Sequence, residues 1–376
     1  MKKIFISLMA MTTSLVSMAE GYQVNTLSAR QNGMGHTGTA LKLRSESMIF
    51  NPAGLGFMDE QLDLSGSITA IFATGNATLP NGSKYTTDNT ASTPMSANLG
   101  FSIYPNLKAG ISFYTPYGSN INWTDNWPGA MLNQSVKLSC FTVQPTLAWK
   151  ITPSLSVGAG LMLTWGNVDL NKGLVSPAIS GGITPAAVNL NGTASMAFGA
   201  NVGAMYDISS QWTVGASFRS KMNMKVKSGL ASVNYTVESL KPQLSDSFGT
   251  IDQTNFKAEM PCVSILNIGT AYKPNSRWTF ALDAQLSFWN QYKTLCIDFD
   301  LPDTPITLPS GQTITYDQVL PKNYRNSWTF HAGAEWKATE RFDLRCGIVV
   351  DTAPMRTDNY NPETPGMTKI EPSVGF

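Results

Sequence analysis

The sequence predicts an all-β protein: a transmembrane antiparallel β-barrel with an N-terminal hatch plugging the lumen. Three observations carry that expectation. Strand-length segments alternate apolar and polar residues with a period of two. Their connections alternate between short turns and long polar loops. Tryptophans gather near the ends of the alternating segments.

The chain opens with an export signal. Lys2 and Lys3 are basic, Ile4 to Val16 supply a short apolar stretch, and Ser17-Met18-Ala19 provides small residues for cleavage. Residues 1–19 are therefore expected to be a signal peptide, residues 20–59 a hatch, and residues 60–376 the barrel. Beyond the leader, no run of about 18 apolar residues follows, so no membrane helix is expected. A membrane barrel stays open to such a chain, because its strands need only about 9–11 residues with every second one polar. The mean hydropathy of -0.08 fits a barrel and a secreted β-protein equally.

Charge narrows the function. The net charge is +1 and charged residues make up 14% of the chain; soluble domains average about 25%. Without a basic field, nucleic acid is not an expected partner. Cys140, Cys262, Cys296 and Cys346 are scattered and form no CxxC pair, so neither a metal nor a cofactor is expected. The cysteines read as small apolar residues, with a disulfide in an oxidising periplasm as the alternative.

The alternation is explicit. Phe141, Val143, Leu147 and Trp149 oppose Thr142, Gln144, Thr146 and Lys150. Leu155 to Trp165 repeats the pattern. Val214, Ala216, Phe218, Met222 and Met224 are expected on one face, opposite Arg219, Lys221, Asn223 and Lys225. Trp278 to Phe288, Trp328 to Trp336 and Phe342 to Val350 complete the set, with Arg345 on the polar side of the last. About twelve strands are visible. Short turns at 150–154 and 207–211 alternate with long loops at 118–135, 171–193, 229–256 and 298–325, the two-rim pattern of an outer-membrane barrel. Trp149, Trp165, Trp212, Trp278, Trp289, Trp328 and Trp336 are expected in interfacial girdles.

Ahead of the first strand lies an apolar turn, Ile49-Phe50-Asn51-Pro52-Ala53-Gly54-Leu55. Pro52 stiffens it, and Gly54 is expected to supply an unusual dihedral. The whole segment of residues 20–59 that contains this turn is Gly-rich, too polar for lipid, and suits the inside of a barrel.

At these residues the chain resembles the FadL/TodX family, outer-membrane transporters of long-chain fatty acids and other hydrophobic compounds. The resemblance rests on Gly21-Tyr22-Gln23-Val24-Asn25, Gly33 to Gly38, the Asn51-Pro52-Ala53 motif, Tyr114-Thr115-Pro116-Tyr117-Gly118, Gly215 to Ser220, and the run from Trp328 to Pro354. It implies passive uptake, with capture at extracellular loops, a hatch-gated pocket and lateral exit through the wall. Tyr22 would line the pocket, Asn51, Pro52 and Ala53 would form the wall that shifts on release, and Phe50 and Gly54 beside them count among the ligand-binding or gating residues. Arg219, Lys221 and Arg345 are candidate partners of a fatty carboxylate, with solvated wall charges as the alternative. The expected partners are a fatty acid or other hydrophobic small molecule, outer-membrane lipid and lipopolysaccharide, and the barrel assembly machinery, for a monomer exported by the Sec route. No catalytic residue is expected. Aromatic hydrocarbon uptake, a hydrophilic porin, a surface adhesin and a lipase built on His331 and Glu335 are the competing readings. The family barrel has fourteen strands. Pro372 and Gly375 read as a poor terminal strand, so a C-terminally truncated chain is the expectation.

Overall fold

The structure is a computed structural model describing residues 21–123, 127–174, 182, 184–242, 252–302, 306–307, 313–356, 362–364 and 366–376. The expected signal peptide lies outside the described residues. The chain forms an antiparallel wall whose strands follow one another around it in chain order, with some places shared by two segments. The strands are β1 (Leu62–Ile68), the detached hairpin of β2 (Asn76–Thr78) and β3 (Lys84–Thr86), β4 (Met95–Tyr104), β5 (Leu107–Asn122), β6 (Ser135–Lys150), β7 (Leu155–Gly173) and β8 (Ala186–Asp207). They continue with β9 (Trp212–Arg219), β10 (Met222–Tyr235), β11 (Gln253–Cys262), β12 (Ile265–Tyr272), β13 (Trp278–Ser287), β14 (Thr294–Phe299), and a second small hairpin of β15 (Ile306–Thr307) and β16 (Thr313–Ile314). Last come β17 (Gln318–Pro321), β18 (Ser327–Thr339), β19 (Phe342–Asp351) and β20 (Lys369–Gly375).

The wall runs β1-β4-β5-β6-β7-β8-β9-β12-β13-β18-β19-β20. Pairing places β10, β11, β14 and β17 beyond the ends of β9, β12, β13 and β18, so they prolong four of its places. The long β8 shows how: residues 201–207 pair with β9, and residues 186–195 with β10. Four wall places are thus bent strands broken near Ser220, Val263, Trp289 and Asn323.

The chemistry is inverted relative to a soluble protein. Leu161, Phe198, Leu282 and Phe330 point outward and are at least half exposed, while Gln144, Thr164, Asn201 and Glu335 point inward and are buried. An apolar exterior around a polar interior suits a wall that faces a bilayer outside and a lumen inside. No helix among the described residues is long and apolar enough to cross a membrane; the strands do the crossing.

Three expectations change here. The strands outrun the predicted loop starts, with β5 reaching Asn122, β7 Gly173 and β10 Tyr235. Strands of 14 to 19 residues, at about 3.3 Å each, exceed the apolar thickness. Beyond it the outer face meets water, the alternation loses its greasy half, and the pattern no longer reads as strand. Met222 and Met224 do not share the outward face of Phe218. The break at Ser220 shifts the parity, so Met222 is buried inside while Lys221 and Lys225 are exposed; one residue of slip exchanges the faces. Finally, Lys369–Gly375 does form a strand, with Pro372 opposite Ile348. It pairs on one side only, where a missing N–H is tolerated.

The hatch fills the lumen with short turns: α1 (Ala29–Asn32), a 3₁₀ turn Arg44–Glu46, α2 (Ser47–Phe50) and a 3₁₀ helix Pro52–Phe57. Four cross-strand glycine pairs of the wall receive it: Gly100 with Gly110, Gly158 with Gly203, Gly215 with Gly269, and Gly333 with Gly347. A Cβ at these positions would fall on hatch atoms, 2.6 Å from Met48 at Gly110, 2.5 Å from Pro52 at Gly158, 2.2 Å from the Thr39 carbonyl at Gly215, and 2.1 Å from the Gly35 nitrogen at Gly347. The absent side chains let hatch backbone lie directly on wall backbone. Ion pairs reinforce the seat. Glu335 on β18 holds Arg30 of the hatch at 2.8 Å and Arg345 of β19 at 2.7 Å.

Candidate functional site: an apolar cavity above the hatch

The inward face of the wall changes character along single strands. On β6, Thr146, Gln144 and Thr142 face the hatch, and the next inward residues are Cys140, Leu138 and Val136. On β7 the change is from Ser156 and Thr164 to Val168 and Leu170. Above the change the walls enclose a cavity of about 110 Å³. Its sides include Val136, Leu170, Leu190, Val226, Phe256 and Ile297, and its floor carries Tyr22.

The residue Tyr22, at the start of the hatch, is fully buried. Its hydroxyl donates to the Pro261 carbonyl. Its ring meets Trp289 edge-on at 4.9 Å, Tyr117 at 5.9 Å and Tyr292 at 6.0 Å, spacings typical of favourable aromatic pairs. Burial, followed by the neighbouring Tyr292, raises the Tyr22 hydroxyl pKa well above the usual range, so it remains a neutral donor. The main chain is fixed as well: Val24 N–H donates to Pro116 O at 2.9 Å, and Gly118 N–H to Tyr22 O at 2.8 Å. The hatch thus adds its first residues to β5 just where β5 loses register with β6, between Tyr114 and Tyr117.

One end of the cavity is polar. Lys322 and Glu363 form a buried ion pair at 2.6 Å, beside Tyr324, whose hydroxyl lies 3.0 Å from Thr364 Oγ1. A second cavity of about 360 Å³ shares Tyr117, Ser119, Leu138 and Cys140 with the first. It reaches Pro94 and Thr115 on one side, and His36, Lys369 and Glu371 on another. Burial, then Lys369, lowers the His36 pKa to about 4, leaving a neutral imidazole at neutral pH.

The turn expected to gate the pocket sits elsewhere, near the short-turn rim. Asn51 caps the 3₁₀ helix by accepting from Ala53 N–H at 3.1 Å, and its amide donates to Thr39 O at 2.8 Å and Ala204 O at 3.0 Å. Pro52 opens that helix and rests on Gly158 of β7; Ala53 packs with Phe57 and Met205. Phe50 packs with Leu27, Ile49 and Tyr114 and borders a 50 Å³ chamber below the cavity. Gly54 does not have the expected left-handed backbone: the described glycines with positive φ are Gly21, Gly35, Gly82 and Gly182. Its role is closeness, since a Cβ there would come within 2.7 Å of Ser47 Oγ. Tyr22 and the Asn51 turn therefore occupy opposite ends of the hatch.

The three candidate carboxylate partners also separate. Arg219 reaches into the lumen, donates to Ile49 O at 2.9 Å and stands over the Tyr114 ring. Lys221 is exposed because of the Ser220 break. Arg345 is engaged by Glu335 and by Asp343 at 3.0 Å, so its charge holds the hatch seat. None of the three borders the apolar cavity; the cation that does is Lys322. Trp289 is likewise no girdle residue. The chain leaves the wall at Phe288, and the indole turns inward to full burial against Tyr22. Trp149, Trp212, Trp278 and Trp328 do lie on the exposed surface. The missed cavity residues had one available signal, the point on β6 where inward positions cease to be polar.

Comparison with known proteins agrees with this geometry. The model of the family described as outer membrane protein transport protein (OMPP1/FadL/TodX) matches residues 9–376. The long-chain fatty acid transport protein of Escherichia coli O6:H1 is 20% identical over 98% of this chain and 86% of its own. Among solved structures, a Pseudomonas aeruginosa FadL homologue superimposes with a TM-score of 0.74 at 17% identity, covering 94% of this chain and 86% of that one. The Pseudomonas putida toluene transporter TodX gives 0.65 at 16% identity, covering 92% and 86%.

Proposed function

Because the chain belongs to the OMPP1/FadL/TodX family of outer-membrane transporters, we propose that it passes hydrophobic molecules inward by diffusion through the cavity above its hatch. The observation that carries this reading is the cavity itself: an open apolar chamber above a lumen that the hatch fills, floored by the aromatic cluster of Tyr22. Burial of hydrocarbon there yields about 0.8 kcal/mol per CH₂, enough to draw amphiphiles from the loops without a nucleotide. The size bears on the cargo. A dry cavity of about 150 Å³ holds a benzene ring in another protein, so the 110 Å³ cavity suits a compact hydrophobe or one section of an acyl chain. A long-chain fatty acid fits by extending past Tyr117 and Leu138 into the 360 Å³ neighbour.

Release follows from the hatch. Tyr22 to Val24 is held to β5 by backbone bonds at an irregular stretch, and lateral exit beside Pro116 is the route this favours. The Asn51-Pro52-Ala53 turn serves as the pivot on which that N-terminal segment moves. Export through the Sec route on residues 1–19, delivery to the barrel assembly machinery, residence as a monomer among lipopolysaccharide and the lack of any enzymatic activity belong to the same proposal. The lipase alternative has little support: His331 is bonded through Nδ1 to Gly35 O, and Glu335 to two arginines.

Extraction and mass spectrometry of lipid co-purifying with the protein is the test. A stoichiometric hydrophobic compound lost in a Val226→Arg variant supports the reading. No such compound, together with large steady single-channel currents, would replace it with a porin.

A further inference from the structure

Two of the four cysteines line the same apolar cavity. Cys140 projects inward from β6, and Cys262 ends β11, with the three wall strands β7, β8 and β10 between them. Both are buried, line the same chamber and belong to one apolar cluster with Tyr22 and Tyr117. The surrounding contacts hold them in place. Tyr117 is the direct cross-strand neighbour of Cys140 and bonds through its hydroxyl to Val263 O at 3.3 Å, while Tyr22 bonds to Pro261 O. The carbonyls on both sides of Cys262 are thus tied to the Cys140 side of the lumen. By contrast, Cys296 and Cys346 are exposed and on other strands.

We propose that Cys140 and Cys262 are a redox pair that closes to a disulfide across the lumen, bracing the cavity at the break between β11 and β12. The compartment of a surface barrel is oxidising, where juxtaposed thiols are retained as disulfides. The oxidant is a disulfide of the periplasmic thiol-exchange type. One cysteine, as thiolate, attacks it to give a mixed disulfide and release one thiol. The second cysteine displaces the remaining thiol, so two electrons and two protons leave the protein and reduce one disulfide to two thiols. Exchange is completed as assembly brings β6 and β11 together, since both sulfurs are buried afterwards. The bond then prevents Pro261–Val263 from moving away from β6.

The inference is independent of what the cavity carries, and its readout counts thiols. Full-length protein exported to an oxidising periplasm is extracted, denatured without reductant, alkylated, and analysed as peptides. Two alkylated cysteines, Cys296 and Cys346, and one peptide pair joined through Cys140 and Cys262 are expected, rising to four alkylated cysteines after reduction. A Cys140→Ala variant should show three alkylated cysteines with or without reductant; the reciprocal Cys262→Ala serves if that variant assembles poorly. Four alkylated cysteines in the unreduced wild type, or a joined pair that includes Cys296 or Cys346, overturns the proposal.

Discussion

Replacing Gly203 with alanine should unseat the hatch while leaving the wall intact. The added Cβ would stand 2.0 Å from Asn51 Oδ1, where real Cβ contacts begin near 3.0 Å, so the amide has to retreat by about 1 Å. That retreat breaks some or all of its bonds to Ala53 N–H, Thr39 O and Ala204 O. Overpacking of this kind costs about 1–3 kcal/mol, and each lost hydrogen bond about 1 kcal/mol. Docking of the Asn51 turn should therefore weaken by about 2–4 kcal/mol, a 30- to 1000-fold rise in its undocked fraction. The strand itself gains, because alanine is less costly than glycine in a strand interior. The assay pairs limited proteolysis of residues 21–59 with the gel mobility of unheated barrel, and adds single-channel recording. Faster hatch cleavage with unchanged barrel mobility is expected, together with intermittent open currents. Asn51→Gly in the Gly203→Ala background removes the clashing oxygen and should restore part of the protection. Unchanged cleavage in Gly203→Ala would show that the glycine collar does not seat the hatch.

Other perturbations probe separate parts. Tyr22→Ala removes the floor of the cavity and its bond to Pro261; binding of a hydrophobic fluorescent probe should weaken about tenfold, the value of one or two aromatic contacts, with thermal stability reduced. Glu335→Ala leaves Arg345 with Asp343 alone and releases the half-exposed Arg30; the loss should fall below the about 3–5 kcal/mol of an uncompensated buried charge, seen as a lower Tm, whereas Glu335→Gln should lose less. His36, whose pKa is lowered to about 4 in the folded protein from an ordinary 6.5, is neutral when folded, and the unfolded chain binds the extra proton between those values. Stability should therefore be complete above pH 6.5 and decline as pH falls toward 4, by up to about 3 kcal/mol. His36→Gln should flatten that part of the curve in thermal melts, and an unchanged slope would assign the acid sensitivity to other groups.

Sequence alone determined the class of this protein, because a period of two is imposed on each strand locally by lipid on one side and lumen on the other. Leu161, Phe198 and Leu282 outside, with Gln144 and Asn201 inside, were legible one strand at a time. So was the presence of a segment ahead of the wall that suits neither lipid nor a strand. The cavity was not legible, because it is made where several strands change their inward residues at one height, and no single strand reports that agreement. The parity exchange at Ser220 turned Lys221 outward and Met222 inward, something periodicity counted through the break could not register. Arg345 looked free in sequence and proved bound, since Glu335, which also holds Arg30 of the hatch, reaches it only through the β18–β19 ladder. Gly203, Gly215 and Gly347 look like strand defects until the hatch lies upon them. Tertiary structure decided these points because each depends on where non-neighbouring segments meet, while the alternating pattern depends only on the environment a strand crosses.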